Sequence, residues 1–261
     1  MSADLFSEAK SAGSSELRLK LGRSEVEYLR GAVQNPHFGD EHLEAILSNP
    51  ALPAALIQGI ASHKLWLSRY EVKRGIVFHR NTARTLKLNL MHFLGWRDLA
   101  RVVEDALQTP AVKRAAESLL RNRIEEMAVG EKIALSRIAA PAIIPSLRSD
   151  LHPDVIAALL TNPRVTMEDV VAVCVEERAA PAALSAVGSS PRWGERHPIR
   201  MALLRNPATP AKVCLRFLDS LSGEDLKEII ALPTTPRLVR VTARQILKAR
   251  NGTVDTKKVV S

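Results

Sequence analysis

The chain has 261 residues, a formal net charge of +9, 46% hydrophobic residues and only 4% aromatic residues. This composition is typical of a globular protein and excludes a disordered or collagen-like chain, and the core must be built mainly from leucine, alanine, valine and isoleucine, which suits closely packed helices. The charge favours acidic partners such as nucleic acid, acidic protein surfaces or anionic lipid, but it carries no information about the fold.

Residues 1–23 form a polar N-terminal segment in our prediction. They contain neither the basic region nor the apolar region of a signal peptide. No uninterrupted apolar stretch of the sequence reaches transmembrane length. We therefore expect a cytoplasmic protein that does not insert into a membrane.

Residues 24–126 are predicted to form a first helical-repeat half, and residues 150–250 a second. A connecting helix or linker is expected at 127–149, and a flexible tail at 251–261. The division follows from an internal duplication, because elements of the first half recur in the same order about 125 to 128 residues later. The matched elements are Asn35-Pro36 and Asn162-Pro163, Pro53–Leu56 and Pro181–Leu184, Trp66–Lys73 and Trp193–Arg200, Arg80-Asn81 and Arg205-Asn206, Lys87 and Lys212, Asp98 and Asp225, and Thr109-Pro110 and Thr235-Pro236.

Each half subdivides at Asn-Pro and Thr-Pro pairs. A residue before proline is disfavoured in the α region, so a helix is predicted to end at Asn206, where asparagine tolerates a left-handed conformation. Thr209 is predicted to cap the next helix, with Pro210 in its first turn. Apolar residues between these corners recur at helical spacing, and no run alternates with period two. The predicted fold is an all-α solenoid, a superhelix of short helices in two tandem halves of about 125 residues.

The Asn-Pro units with Pro-marked corners, clearest at 150–163, resemble the variant leucine-rich repeat and HEAT-like helical repeats of bacterial proteins. The resemblance covers most of residues 25–250 and implies an α-solenoid fold. A variant leucine-rich repeat protein carries an iron–sulfur cluster on a cysteine cluster. This chain has only Cys174 and Cys214, both in apolar runs, so the resemblance implies no such cofactor here.

Basic residues that recur in both halves are the candidate partner-binding residues. They are Arg69, Lys73, Arg80 and Lys87 in the first half, and Arg196, Arg200, Arg205 and Lys212 in the second. Trp66 and Trp193 accompany them, either as anchors for a partner or as residues that fill gaps between helices. The stretch 64–101 is densely basic, with nine lysines and arginines against Glu71 and Asp98. A further basic stripe is predicted on the last helix, where it serves either binding or solubility: Arg237, Arg240, Arg244 and Lys248.

Enzyme motifs are missing from the sequence. It contains no Walker loop, no Gly-x-Gly-x-x-Gly, no His-Glu-x-x-His and no Cys-x-x-Cys, and no two of its seven histidines are four residues apart. Asp98 and Asp225 lie near predicted helix starts and are expected to cap helices or complement their dipoles. We therefore expect no metal site, no cofactor and no catalytic activity.

The predicted function is a non-enzymatic scaffold that holds an acidic partner macromolecule on its basic ridges. Direct binding of nucleic acid is the alternative. A third possibility is an enzyme that resembles the HEAT-like alkylpurine DNA glycosylases, although no residue-by-residue match to them is found. The sequence does not predict an oligomeric state.

Overall fold

A computed structural model describes the backbone of residues 2–150 and 152–258 and the side chains of residues 4–150 and 152–251. These residues form 19 α-helices and two short 3-10 helices, with no strand among them. The prediction of an all-α protein is confirmed. The chain divides into two compact units, residues 1–123 and 124–261, which are called unit 1 and unit 2 below.

Unit 1 contains ten helices, of which the last reaches the unit boundary. They are α1 (Ser2–Ser11), α2 (Ser14–Lys20), α3 (Val26–Val33), α4 (Leu43–Ser48), α5 (Ala54–Ser62), α6 (Lys64–Ser68), α7 (Tyr70–Phe78), α8 (Arg84–Met91), α9 (Trp96–Glu104) and α10 (Pro110–Ile124). The 3-10 helices are Leu21–Arg23 and Asp40–His42. Within this unit α1 packs on α3, and α4 packs on α7.

Unit 2 contains nine helices. They are α11 (Val129–Ile138), α12 (Ile144–Arg148), α13 (Pro153–Leu160), α14 (Met167–Val175), α15 (Pro181–Ser189), α16 (His197–Arg205), α17 (Ala211–Leu218), α18 (Gly223–Ala231) and α19 (Arg237–Lys258). Most of them pack on the next helix but one. The odd-numbered helices α11 to α19 form one row, and the even-numbered helices α12 to α18 form a second row.

The helices of the two units recur at one fixed spacing. The bounds of Val26–Val33 plus 127 residues are those of Pro153–Leu160. The same spacing relates both ends of α1 and α11, α5 and α15, α7 and α16, α8 and α17, and α9 and α18. Positions in the two units that are 127 residues apart are called equivalent below.

Buried asparagines at the Asn-Pro corners connect successive helices. The side-chain amide of Asn206 donates to the carbonyls of Cys174 at 2.7 Å and Glu176 at 3.0 Å, at the end of α14. Its Oδ1 accepts the backbone N–H of Ala208 at 2.9 Å, which fixes the turn. Asparagines with the same pair of amide bonds and the same turn are Asn35, Asn49 and Asn162. Each satisfies two carbonyls that the helix cannot satisfy itself.

Two predicted details of these corners are wrong. Asn206 does end α16, but its φ is −82° and its ψ is 119°, and no described non-glycine residue has a positive φ. Asparagine is used here for its side-chain amide and not for a left-handed backbone. The N-cap of α17 is Pro210, and the buried Thr209 hydroxyl has no hydrogen-bond partner among the described residues.

The segments expected to precede and to connect the two halves both contain helices. The polar N-terminal segment contains α1, α2 and the first 3-10 helix, and α1 approaches α3 so closely that a Cβ on Gly31 would lie 2.3 Å from the Phe6 carbonyl oxygen. In the expected connecting helix or linker at 127–149, α11 packs on α13 as part of unit 2. Neither segment contains an Asn-Pro corner, so the pattern that marked the other helices gave no signal there. In the predicted tail 251–261, α19 continues to Lys258, and residues 259–261 lie outside the described residues.

Candidate functional site

Arg69 and Lys73, the first predicted basic pair, lie at the start of α7. Arg69 is the N-cap residue, and its guanidinium forms an ion pair of 3.0 Å with Asp40. The ammonium of Lys73 donates to the carbonyl of Ser68 at 3.2 Å and lies 4.9 Å from the centre of the Phe93 ring. Both cations are therefore engaged within unit 1.

Arg196 and Arg200 are the equivalent pair at the start of α16. The side chain of Arg196 is exposed and has no partner in the described part of the chain. Arg200 donates to the Gly194 carbonyl at 3.2 Å and to the Ser220 hydroxyl at 2.8 Å, and it forms an ion pair with Glu195. Its side chain is only 14% exposed. The two duplicated pairs therefore lie in different surroundings.

Lys87 corrects the predicted basic surface. It is buried, its ammonium donates to Oε1 of Gln108 at 2.8 Å, and loss of hydration lowers its pKa. It is a core residue and not a surface for a partner, whereas Lys212 is exposed. The error is one of register, because at the spacing of 127 residues Lys87 is equivalent to Cys214 and not to Lys212.

Arg80 and Arg205 are also not equivalent. Arg80 lies just beyond the end of α7, where it is exposed and has no side-chain partner among the described residues. Arg205 is the last residue of α16 and bonds Glu228 through Nε at 2.8 Å and Nη2 at 2.6 Å. Its equivalent in unit 1 is Phe78, the last residue of α7.

Three of the four cations predicted on the last helix face solvent. Arg237, Arg244 and Lys248 are exposed along α19. Arg240 instead turns towards the end of α18, where its Nη2 donates to three backbone carbonyls. The acceptors are Leu232 at 3.3 Å, Pro233 at 3.1 Å and Thr235 at 2.9 Å. The predicted stripe therefore has three available members.

Arginines often bind backbone carbonyls at the C-terminal ends of helices in this protein. Arg192, for example, donates to the carbonyls of Asn162 at 2.9 Å, Pro163 at 3.3 Å and Val165 at 3.2 Å, beyond α13. The arginines with such bonds include Arg123, Arg164, Arg192, Arg216, Arg240 and Arg250. Part of the net positive charge therefore stabilises helix ends and is not evidence for a charged ligand.

A groove of about 850 Å³ lies on unit 1, along α4, α7 and α9. Apolar or small residues form its middle: Leu43, Leu47, Val72, Gly75 and Phe78. Gly75 lets α7 approach α4, since a Cβ there would lie 3.0 Å from Cδ1 of Leu47. Charged residues surround this apolar strip, and most of them are exposed.

The three helices beside the groove run in the same direction. The N-terminal ends of α4 and α7 meet through Asp40 and Arg69, and their C-terminal ends meet where Nε2 of His79 lies 2.8 Å from the Asn49 carbonyl oxygen. Tyr70, the first residue of α7, joins the start of α9, because its hydroxyl accepts the backbone N–H of Gly95 at 3.0 Å. The three helices are therefore parallel, and their N-terminal ends lie side by side.

Arginines gather around Phe78 at the C-terminal end of the groove. The guanidinium carbons of Arg74 and Arg101 lie 5.9 Å and 5.4 Å from the centre of its ring. Asp98 holds both arginines, with 3.0 Å to Nε of Arg74 and 3.7 Å to Nη1 of Arg101. The arginine side chains nevertheless remain 40% and 62% exposed. Arg80 and the 70% exposed Leu107 complete this end.

The sequence predicts only part of the arginine-rich end of the groove. Arg74 and Arg101 lie in the basic stretch 64–101, but they were not among the predicted binding residues because no pattern on one helix connects them. Asp98 was predicted to cap or complement a helix. It does lie in the first turn of α9, and it also accepts the Tyr70 hydroxyl at 2.5 Å. The pKa of Tyr70 is raised, mainly because burial removes hydration and secondly because of this hydrogen bond.

Unit 2 has different residues at the equivalent positions. Met201 replaces Arg74, and Arg205 and Glu228 replace Phe78 and Arg101. The Arg205–Glu228 ion pair therefore takes the place of the exposed arginine cluster. Asp225 forms the predicted cap there, since Ser222 and Asp225 bond each other's backbone N–H, and the Ser222 hydroxyl lowers the pKa of Asp225.

The tryptophans and cysteines behave as packing residues. The indole N–H of the buried Trp193 donates to the Leu160 carbonyl at 3.1 Å, and Trp66 stacks on His63 at 4.1 Å between ring centres. Burial raises the pKa of Cys174 to about 12 and that of Cys214 to about 11, so both remain protonated thiols. Among the described residues, no three His, Cys, Asp or Glu side chains converge in a geometry for a metal ion.

Comparison of the chain with protein-family models, with curated proteins and with solved structures gives no match in any of the three. Among the described helices, none combines the length and the apolar character that a membrane span requires.

Proposed function

We propose that the chain is a non-enzymatic helical-repeat scaffold that binds an acidic region of a partner protein through the groove of unit 1. The observation that carries the proposal is the arrangement at the C-terminal end of this groove. Arg74 and Arg101 flank the ring of Phe78 there and share a single carboxylate, Asp98, while the exposed Arg80 at the same end has no side-chain partner among the described residues. Exposed arginines beside apolar surface are common where proteins bind each other.

The scaffold part of the proposal is an α-solenoid made of two tandem copies of one unit, similar to variant leucine-rich and HEAT-like repeats. It is supported by the constant spacing of 127 residues between equivalent helices and by the two rows of helices in unit 2. The buried asparagines at equivalent corners, such as Asn35 and Asn162, add to this support. Stacked repeats of this kind provide rigid surfaces for partners.

A protein partner fits the groove better than nucleic acid does. Four carboxylates, those of Asp40, Glu41, Glu44 and Glu71, line the same groove and would repel a phosphate backbone. The apolar strip between the charges also favours side chains over phosphates. Binding is assigned to unit 1 alone, because the basic pairs Arg69/Lys73 and Arg196/Arg200 lie in different surroundings.

Direct binding of nucleic acid is the second candidate, and α19 is the observation that favours it. Arg237, Arg244 and Lys248 are exposed along this helix, and residues 229–254 contain no acidic side chain. A ridge of three cations can follow a phosphate backbone without reading its sequence. In that case the groove of unit 1 would not take part in binding.

One capture experiment tests both candidates. The purified full-length chain is used to capture partners from a lysate of the source cells, with and without nuclease treatment. We expect capture of a defined protein that resists nuclease and falls at least tenfold in the variant Arg80→Glu plus Arg101→Glu. The ridge variant Arg237→Glu plus Arg244→Glu and the control Arg196→Glu should retain it, because these positions are exposed and lie outside the groove.

Each other outcome has a clear meaning. Capture that disappears with nuclease and with the ridge variant supports nucleic-acid binding through α19. Full retention by the groove variant rules out the groove. Thermal unfolding of each variant, compared with that of the unaltered chain, separates loss of binding from loss of fold.

A further inference from the structure

The groove of unit 1 carries opposite charges at its two ends. The end formed by the N-terminal parts of α4 and α7 has Asp40, Glu41, Glu44 and Glu71 with Arg18 and Arg69, a formal charge of −2. The other end is lined by Arg74, Arg80 and Arg101, and with Asp98, which pairs with Arg74 and Arg101, it has a formal charge of +2. Part of this polarity follows the helix dipoles, because Glu44 and Glu71 lie in the first turns of α4 and α7, and Arg101 lies in the last turn of α9.

The charges at the two ends are in part available to a ligand. Glu44 and Glu71 are exposed, as is Arg80, and none of the three has a side-chain partner among the described residues. Asp40 and Glu41 are partly compensated, by Arg69 and by the Ser14 hydroxyl. The most available carboxylates are thus Glu44 and Glu71, on adjacent parallel helices.

The separation of the two ends sets a length for the ligand. The backbone of α7 rises about 10 Å from Glu71 to Phe78, at about 1.5 Å per helical residue, and Arg80 follows two residues later, so the two positions are about 13 Å apart or slightly more. An extended peptide covers about 13 Å in four residues, at about 3.3 Å per residue. The apolar strip of Leu47, Val72 and Phe78 lies between the two ends.

We infer that the groove selects an extended partner segment with a basic side chain and an acidic side chain about four residues apart and an apolar residue between them. The basic side chain lies at Glu44 and Glu71, and the acidic side chain lies at Arg80 and Arg101. This inference rests on the proposed function and refines it, since a purely acidic segment would be repelled by the carboxylate end.

Unit 2 does not carry the same arrangement. The positions equivalent to Glu44 and Glu71 are Val171 and Pro198, and the position equivalent to Arg101 is Glu228. Both ends of the charge pattern are therefore lost in unit 2. The selectivity belongs to the groove of unit 1 and is not a general property of the repeated unit.

A peptide-display selection on the full-length chain tests the inference. A library of random 12-residue peptides is selected for binding, and enriched peptides are measured by fluorescence anisotropy. Four proteins are compared: the unaltered chain, the carboxylate-end variant Glu44→Gln plus Glu71→Gln, the arginine-end variant Arg80→Gln plus Arg101→Gln, and the control Arg196→Gln. Circular dichroism and thermal unfolding confirm that each variant is folded.

We expect enriched peptides to carry opposite charges three to five positions apart, and each double variant to bind them at least tenfold more weakly. Peptides with acidic residues only, weakened by the arginine-end variant and strengthened by the carboxylate-end variant, would overturn this inference and leave the proposed function standing. If selection enriches no peptide, or if neither double variant changes binding, both proposals fail.

Discussion

At the scale of single residues, the buried asparagines connect one helix to the end of an earlier one. The amide of Asn206 supplies two N–H groups to the carbonyls of Cys174 and Glu176, while its oxygen accepts an N–H in its own turn. Asparagine is the only residue of this size with both functions on one rigid group. An arginine, lysine or serine at this position would lose either the fit or one of the bonds.

Replacement of Asn206 should destabilise the protein strongly. We expect Asn206→Ala to lower the free energy of unfolding by about 2–3 kcal/mol, since a buried and a partly buried carbonyl lose their donors. Asn206→Asp should cost more, because it places a carboxylate oxygen against carbonyl oxygens. Urea unfolding measures both changes. The control Asn122→Ala, on the exposed face of α10, should change stability by less than about 0.5 kcal/mol. Equal effects at the two positions would disprove the assigned role.

At the scale of elements, equivalent helix starts use two different caps. α18 begins after Ser222, whose hydroxyl accepts the N–H of Asp225 at 3.1 Å. The equivalent residue before α9 is Gly95, which has no side chain, and the Tyr70 hydroxyl instead accepts its N–H and donates to Asp98. A residue from α7 therefore replaces a local cap.

Because Tyr70 takes the place of a local cap on α9, a new cap residue at position 95 should compensate for the loss of its hydroxyl. Tyr70→Phe should lower the free energy of unfolding by about 1 kcal/mol, because the start of α9 loses a hydrogen-bond partner. Adding Gly95→Ser should restore most of that loss, since a serine there can bond Asp98 as Ser222 bonds Asp225. Chemical denaturation of the single and double variants measures the rescue. Additive losses in the double variant would show that Gly95 is not an equivalent cap position.

The sequence predicted the elements better than the site. Asn-Pro corners and helical apolar spacing gave the helical class and the end of α16 at Asn206. They gave no bounds for α1 or for α11, which lies in the expected connecting helix or linker, because no such corner occurs in either segment. The groove was not predictable from spacing on one helix, because Arg74 and Arg101 meet only when α7 and α9 pack in parallel over Phe78. Recurrence of charge in the two halves also misled, as Lys87 shows, because a spacing of 125 residues pairs it with Lys212, whereas the helices recur at 127 residues and make the buried Lys87 equivalent to Cys214.

At the scale of the whole molecule, the net charge of +9 divides into structural and available cations. Arg192 belongs to the first group, since its guanidinium holds three carbonyls beyond α13 and lies 4.3 Å from the centre of the Trp193 ring. Arg80 belongs to the second group, with an exposed side chain in the groove of unit 1. A binding mechanism driven by net charge would not distinguish them, whereas the groove mechanism does.

Two substitutions, each of which removes one positive charge, therefore distinguish attraction by net charge from binding in the groove. Arg192→Gln should lower the free energy of unfolding by about 1–2 kcal/mol, because glutamine cannot reach three carbonyls, and it should leave partner binding unchanged. Arg80→Gln should change stability by less than about 0.5 kcal/mol and weaken partner binding several-fold. Denaturant titration and binding titration on the same two preparations measure both effects. Equal weakening of binding by the two variants would show that long-range charge, and not the groove, attracts the partner.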